Sequence, residues 1–403
     1  MVINMLTQTR TKIYTDQTPG IPLVNSNPGT LVTMLDAVLV NGFNSKSIEN
    51  FVLSSGVATI TSTSHGYVSL QAGTPDQYFP VIQIVGLDPA LDGQYRIQSI
   101  PDANTITINV DSPDKTLTST GSFQFAPAGW SIAYTDNSHK RVYRQINVQG
   151  SRFYLRIDDS KSRALITVYK TMTDIDTGTW PVPATSQSAD NQLEWGHVVY
   201  SSSGPSKFFN IFADDLIFYL FMENPNANQF DTNNYVAMVF GDIITLNESD
   251  NTACVISGAV TKNYTGENVW RYYGFTTNST TGNYLVDDPN AAASTPLASM
   301  VLYNTGRPIL PFQDPFTQTI TYTSLYLGDT TNNSIRGIVP GMYDPWFITP
   351  HNGNNSGSLP SPVTNRSVIP LDDQNYGILT YSATTDSDRA FGSALVFSGS
   401  DWR

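Results

Sequence analysis

Residues 208–222 read FFNIFADDLIFYLFM. Two aromatic-rich apolar runs, 208–212 and 216–222, flank Ala213-Asp214-Asp215, and runs spaced like this read as antiparallel strands joined by a tight turn. The second run is the longest uninterrupted apolar stretch of the chain. It is far shorter than the roughly 20 residues needed to cross a bilayer. No transmembrane segment and no membrane insertion is therefore expected.

The same strand-and-turn texture extends over most of the 403 residues. Ser, Thr and Asn together fill 116 positions, about 29%, against 5 Glu and 8 Lys. Turn and strand formers stand where helix formers would. With 28 Gly, 24 Pro, 11% aromatics and no long apolar stretch at 3.6-residue spacing, the chain is expected to be all-β, an aromatic-rich antiparallel β-sandwich. One short helix is predicted over 31–40, with Leu31, Met34, Leu35 and Val38 on one face and Asn41-Gly42 closing it.

Three regions follow from texture. Residues 1–30, polar and broken by Pro19, Pro22 and Pro28, read as an extended N-terminal arm. Residues 51–127 carry a five-strand pattern (57–63, 78–87, 93–100, 105–110, 121–125) with turn signals at Asp88-Pro89, 91–93, 101–104 and 112–114, which suits a small β-sandwich or barrel. Residues 31–50 and 128–403 form the main β-sandwich domain. Its strands are expected at 141–146, 152–157, 165–171, 235–246, 299–303, 319–327, 376–382 and 393–397 as well as in the opening hairpin. Residues 261–300 read as a long surface excursion, and 351–362 (HNGNNSGSLPSP) as a flexible loop.

Charge and cysteine usage exclude several classes. A net charge of −13 opposes any phosphate-tracking groove, so no nucleic-acid partner is expected. Cys254 is the only cysteine, which rules out an intrachain disulfide framework and Cys-rich zinc sites. The opening MVINMLTQTRTK lacks the apolar core of a secretory signal.

Catalytic signatures are missing: no phosphate loop, no His-Glu-x-x-His and no Gly-x-Ser-x-Gly elbow. Cys254 in ACVISGAV reads as a small buried hydrophobe. His65, His139, His197 and His351 are isolated in sequence. Residues 174–178 (DIDTG) resemble the start of a calcium loop, but the downstream bidentate Glu is absent and a hydrogen-bonded turn is the expected role. The acid pairs Asp158/Asp159, Asp214/Asp215, Asp287/Asp288 and Asp372/Asp373 have the residue type of a glycosidase dyad, yet all sit at turn-like places where carboxylates cap backbone amides. No enzyme activity, catalytic residue, metal or cofactor is expected. Trp270, Tyr272, Tyr273 and Phe275 are the interface candidates, because aromatic anchors dominate interfaces.

Residues 39–46 (LVNGFNSK) resemble the turn that ends a short helix in a family of tailed-bacteriophage virion proteins. Further blocks in the same order strengthen the likeness: 128–130 (AGW), 140–145 (KRVYRQ), 152–159 (RFYLRIDD), 169–183 (YKTMTDIDTGTWPVP), 218–221 (FYLF), 240–242 (FGD), 335–341 (IRGIVPG) and 400–403 (SDWR). In compact relatives the first turn runs almost directly into the Gly-Trp strand. The resemblance thus implies that 51–127 is an inserted module, itself similar to the small immunoglobulin-like folds of phage particles.

The resemblance implies a virion structural protein of the tail, baseplate or fibre-attachment region, assembled in the bacterial cytoplasm and partnered by copies of itself and other phage virion proteins. Residues 1–30 are expected to dock on a neighbour by strand addition and to be dispensable for the fold. Two alternatives stand beside this reading: a tail appendage that binds or cleaves host surface glycan, and a head decoration protein.

Overall fold

A computed structural model of the chain describes residues 9–25, 27–69, 78–118, 121–161, 163–183, 193–196, 209–223, 235–246, 254–259, 281–286, 296–297, 322–329, 334–345, 368–370, 376–386, 389–398 and 401–402. The protein is all-β: antiparallel sheets with one short helical segment among the described residues.

The opening stretch forms a hairpin near one edge of the largest sheet, with only Lys12–Thr15 outside it on that side. Phe209–Ala213 pairs with Ile217–Glu223, Ala213 opposite Phe218. Asp214 closes the turn, its Oδ1 accepting the amides of Leu216 and Ile217, each at 2.7 Å. Outward from this hairpin the sheet runs Lys12–Thr15, Phe209–Ala213, Ile217–Glu223, Tyr235–Asp242, Cys254–Ala259, Leu193–Gly196, Arg163–Tyr169, Tyr154–Asp158, Lys140–Gln145 and Trp130–Thr135. Thr281–Val286, within the stretch read as a surface excursion, is also a strand and pairs with Cys254–Ala259.

The apolar run is uninterrupted because both faces of this strand are covered. Successive side chains alternate between faces. Phe218 meets Trp130 and Trp195 on one side, with ring centroids 5.5 and 6.0 Å away. On the other side Tyr219 lies edge-on to Trp402 at 5.5 Å and donates its hydroxyl to the Pro340 carbonyl at 2.8 Å. Pro340 belongs to Ser334–Pro345, part of another sheet ordered Ile244–Thr245, Ser334–Pro345, Arg389–Ser398, Tyr376–Asp386 and Val368–Pro370.

Residues 43–125 build a curled sheet of their own. Lys115–Thr118 pairs with Asn50–Ser54, which pairs with Val57–Thr61, then Thr105–Asn109, Gly93–Asp102, Val81–Val85, Ser122–Phe125 and Phe43–Ser47. The sheet thus ends on Lys115–Thr118 at one edge and on Phe43–Ser47 at the other. Phe51, Ile60, Ile82, Ile97, Ile106, Ile108 and Phe123 fill the interior. The sheet begins at Phe43, earlier than the texture change at 51, and includes Lys115–Thr118. Those two segments, FNSKS and KTLT, bury few side chains and so carry little apolar signal. The ends of the unit meet, Phe43 lying opposite Phe125.

The helix is an α-turn, Thr30–Leu35, that widens into a π-turn, Asp36–Asn41, ending at Gly42 with φ of 72°. Val32, Ala37 and Leu39 are buried together with Leu31, Met34, Leu35 and Val38, so the segment is enclosed nearly all round rather than on one face. It sits between the two β-units.

The expected arm is instead part of the fold from residue 9 onward. Lys12–Thr15 adds an antiparallel strand to Phe209–Ala213, and all four of its side chains are buried. Tyr14 packs edge-on against Phe43 and Phe125 and donates to the Ala126 carbonyl. From the curled sheet Arg96, buried, donates to the carbonyls of Phe79 at 2.9 Å and Thr11 at 3.3 Å and lies over the Tyr78 ring. The strand therefore joins the two units. Sequence polarity conceals this, because the burial comes from partners far along the chain.

Candidate functional site

Among the described residues, the acidic groups singled out in the sequence are held inside the fold's own hydrogen-bond network. The helix has no side-chain cap of its own, Gly29 standing at its N-cap. Asp159 takes that role: one carboxylate oxygen accepts the amides of Leu31 at 3.0 Å and Val32 at 3.3 Å. Its neighbour Asp158 accepts from Ser160 at 2.6 Å and from Arg156 at 3.4 Å. In the second described pair, Asp214 closes the hairpin turn while Asp215 accepts from Arg10 at 2.5 Å and Asn147 at 2.7 Å. Turn capping and ion pairing thus occupy both pairs, which is the commoner use of carboxylates at such places. Asp287/Asp288 and Asp372/Asp373 lie outside the described residues.

The DIDTG segment folds as a turn. Asp174 Oδ1 accepts the amides of Asp176 and Thr177 at 2.9 and 2.8 Å, and these bonds hold its carboxyl below the usual range. Asp176 bridges Lys140 at 2.8 Å and Arg156 at 2.5 Å, and the two cations lower its pKa in the same sense. Among the described residues no group of three or more His, Cys, Asp or Glu side chains is arranged to hold a metal ion.

Cys254 is fully buried in its strand, and burial, reinforced by the nearby Asp242 charge, pushes its thiol well above the ordinary value. That is the reverse of an activated nucleophile. His65 is buried, accepting the Tyr67 amide at its Nδ1 at 3.0 Å with its Nε2 3.1 Å from the Asp102 carbonyl. His139 contacts Ser138 at 3.0 Å. His197 and His351 lie outside the described residues, as do Trp270, Tyr272, Tyr273 and Phe275 and the loop 351–362.

A second network ties the helix to the main sheet. Asp36 accepts from Arg141 Nε at 2.9 Å and the Tyr143 hydroxyl at 2.7 Å. Burial first, and the Asp36 charge second, raise the Tyr143 pKa well above normal. The amides of Ala128 and Gly129 donate to the carbonyls of Val38 and Leu39 at 2.9 and 3.2 Å. Trp130 Nε1 donates to Asp214 O at 2.9 Å. Asp242 accepts the Ser151 amide at 2.7 Å and its hydroxyl at 2.6 Å.

The groups available to a partner are apolar and exposed. Ile146 and Val148 are 58% and 79% exposed, on a loop that starts where the Ile146 amide donates to Gly129 O. Trp180 is 57% exposed. Sequence reasoning missed all three. The strand expected at 141–146 stops at Gln145, which leaves Ile146 outside it, and nothing in TWPVP marks which way the indole faces.

Lys12 is the most unusual charge. It is 4% exposed, donates to Arg10 O at 3.0 Å and faces Asp214, Asp215, Asp401 and Arg96. Burial outweighs the three carboxylates and lowers its pKa to about 8. The unfolded chain holds this proton up to the ordinary lysine range, about 10.4. Between these values the unfolded state binds more protons, so stability rises with pH. The expected result is a gain of up to about 3 kcal/mol between pH 8 and 10 that Lys12→Met lacks. Chemical denaturation of both proteins across that range measures it, and parallel pH profiles would contradict it.

No model of a known protein family matches the chain, and no curated protein matches it.

Proposed function

We propose that the chain is a structural protein of a tailed-bacteriophage particle, a multi-copy component of the tail, baseplate or collar. It works through interfaces with copies of itself and with neighbouring virion proteins, and it makes and breaks no covalent bond.

One observation carries this reading. The segments that resemble the virion family are scattered over the sequence, yet they contact one another. Gly129 bonds to Leu39, Trp130 packs on Phe218 and on Phe240 at 5.6 Å, and Arg156 binds Asp176. Tyr219 bonds to Pro340 and packs on Trp402. A fold built on those landmarks would need such contacts. The curled sheet starts at Phe43, inside the first landmark, and ends at Phe125, just before the second, and its two ends pair there, as the ends of an inserted module would.

The exposed Ile146 and Val148 and the edge strand Trp130–Thr135 offer contact surface of the kind that partners cover. Immunogold labelling of intact particles tests the placement. Gold along the tail or at the head–tail junction is expected. Label confined to the head surface would make the chain a decoration protein instead.

A further inference from the structure

We propose that Trp180 is the stacking platform of a saccharide-binding site on the hairpin of residues 171–179, taking the face of a neutral sugar ring. The inference is independent of where in a particle the chain sits.

Two features disfavoured elsewhere coincide at this residue. Its indole is 57% exposed, and its backbone has φ of 55°, a left-handed conformation that a bulky side chain rarely adopts. Gly or Asn would occupy the position without strain. A strained residue of this kind points to a role outside the fold when the surroundings hold it in place, and here they do. On one side Thr171 pairs with Thr179, and the Lys170 amide donates to Thr179 O at 3.1 Å. On the other side Val182 and Val168 exchange both backbone hydrogen bonds, at 2.8 and 3.0 Å. The hairpin is anchored to the sheet by Asp176 on Lys140 and Arg156, and by the Tyr134 hydroxyl on Met172 O at 2.9 Å. The indole is thus presented on a fixed base, which keeps the entropic cost of binding low.

The neighbours select the ligand class. Besides Trp180, the exposed residues of this segment are Thr171, Thr173, Asp174, Asp176, Thr177 and Thr179. Thr179 precedes Trp180 in sequence, and its hydroxyl lies 2.6 Å from that of Thr171 on the paired strand. A protein hot spot is ringed by contacts that exclude water, whereas the exposed side chains of this hairpin are hydroxyls and carboxylates. A nucleic-acid platform needs free cations along the backbone track, whereas Lys140 and Arg156 are engaged by Asp176. A flat apolar face next in sequence to a hairpin of exposed hydroxyls and carboxylates matches a sugar, which offers a C–H face and a hydroxyl edge. The carboxylates and the net charge of −13 disfavour anionic sugars.

The test uses the full chain on an array of neutral and sulfated glycans, followed by calorimetry with maltoheptaose, cellopentaose and chitopentaose. Binding of at least one neutral glycan with Kd of about 1 mM or tighter is expected, with at least a tenfold loss in Trp180→Ala. Trp180→Asn separates binding from folding: it tolerates the left-handed backbone, so its Tm is expected to be no lower than the parent's while binding is lost. The proposal is overturned if no neutral glycan binds, if either variant binds within twofold of the parent, or if sulfated glycans are preferred.

Discussion

Removing residues 1–15 will leave a chain that does not reach its native state. The truncation takes away the Lys12–Thr15 strand, whose side chains are all buried, and opens the Phe209–Ala213 edge. It also strips Tyr14 from Phe43 and Phe125 and leaves the Arg96 guanidinium without the Thr11 carbonyl. The expected product is insoluble or quickly proteolysed. A point substitution gives the graded version. Tyr14→Ala should cost about 3–5 kcal/mol, in the range for aromatic truncation in a core, and Tyr14→Phe about 1 kcal/mol for the lost hydrogen bond to Ala126. Urea denaturation followed by circular dichroism reads all three. A truncated protein that unfolds like the parent would mean that the strand contributes nothing.

The second large effect is expected at Gly241, in the strand Tyr235–Asp242 beside the hairpin of residues 209–223. Its φ is 141°, and a methyl group there would run into the Leu216 carbonyl and the Ile217 Cα, both backbone. Backbone cannot swing aside as a side chain can. Gly241 stands opposite Ile217, and the next residue, Asp242, donates its amide to Leu216 O at 2.9 Å while binding Ser151. Displacing the strand would therefore break several bonds at once. Gly241→Ala should lose about 4 kcal/mol or more, at the top of the usual range for single substitutions. Gly66→Ala is the control: its φ is also positive, at 73°, but nothing lies within 4 Å, so it isolates the strain from the collision. Equal losses at the two sites would refute the steric account.

How far the sequence discloses the fold depends on where each residue's burial originates. Residues 208–222 are legible because the pattern is local: two apolar runs and an acidic turn whose Asp214 closes on its own neighbours. Val57–Thr61 and Thr105–Asn109 are legible because they alternate. Lys12–Thr15 is not, since KIYT sits among polar residues and its partners lie near positions 43, 125 and 211. Phe43–Ser47 and Lys115–Thr118 escape notice because they are the two end strands of their sheet and bury few side chains. The same contrast governs the polar groups. Asp159 looks like half of an acid pair at a turn, and only the fold brings a helix without a cap of its own to its carboxylate. Trp180 looks like one more aromatic until the backbone angle turns it outward.

The central claim is that this chain is built into a virus particle and acts by contact. Quantitative mass spectrometry of gradient-purified particles, compared with the soluble fraction of the same lysate, tests it most directly. The account predicts several copies per particle, retained in the tail fraction when heads and tails are separated. A chain absent from purified particles and recovered as a free monomer that releases reducing sugar from host polysaccharide would contradict it.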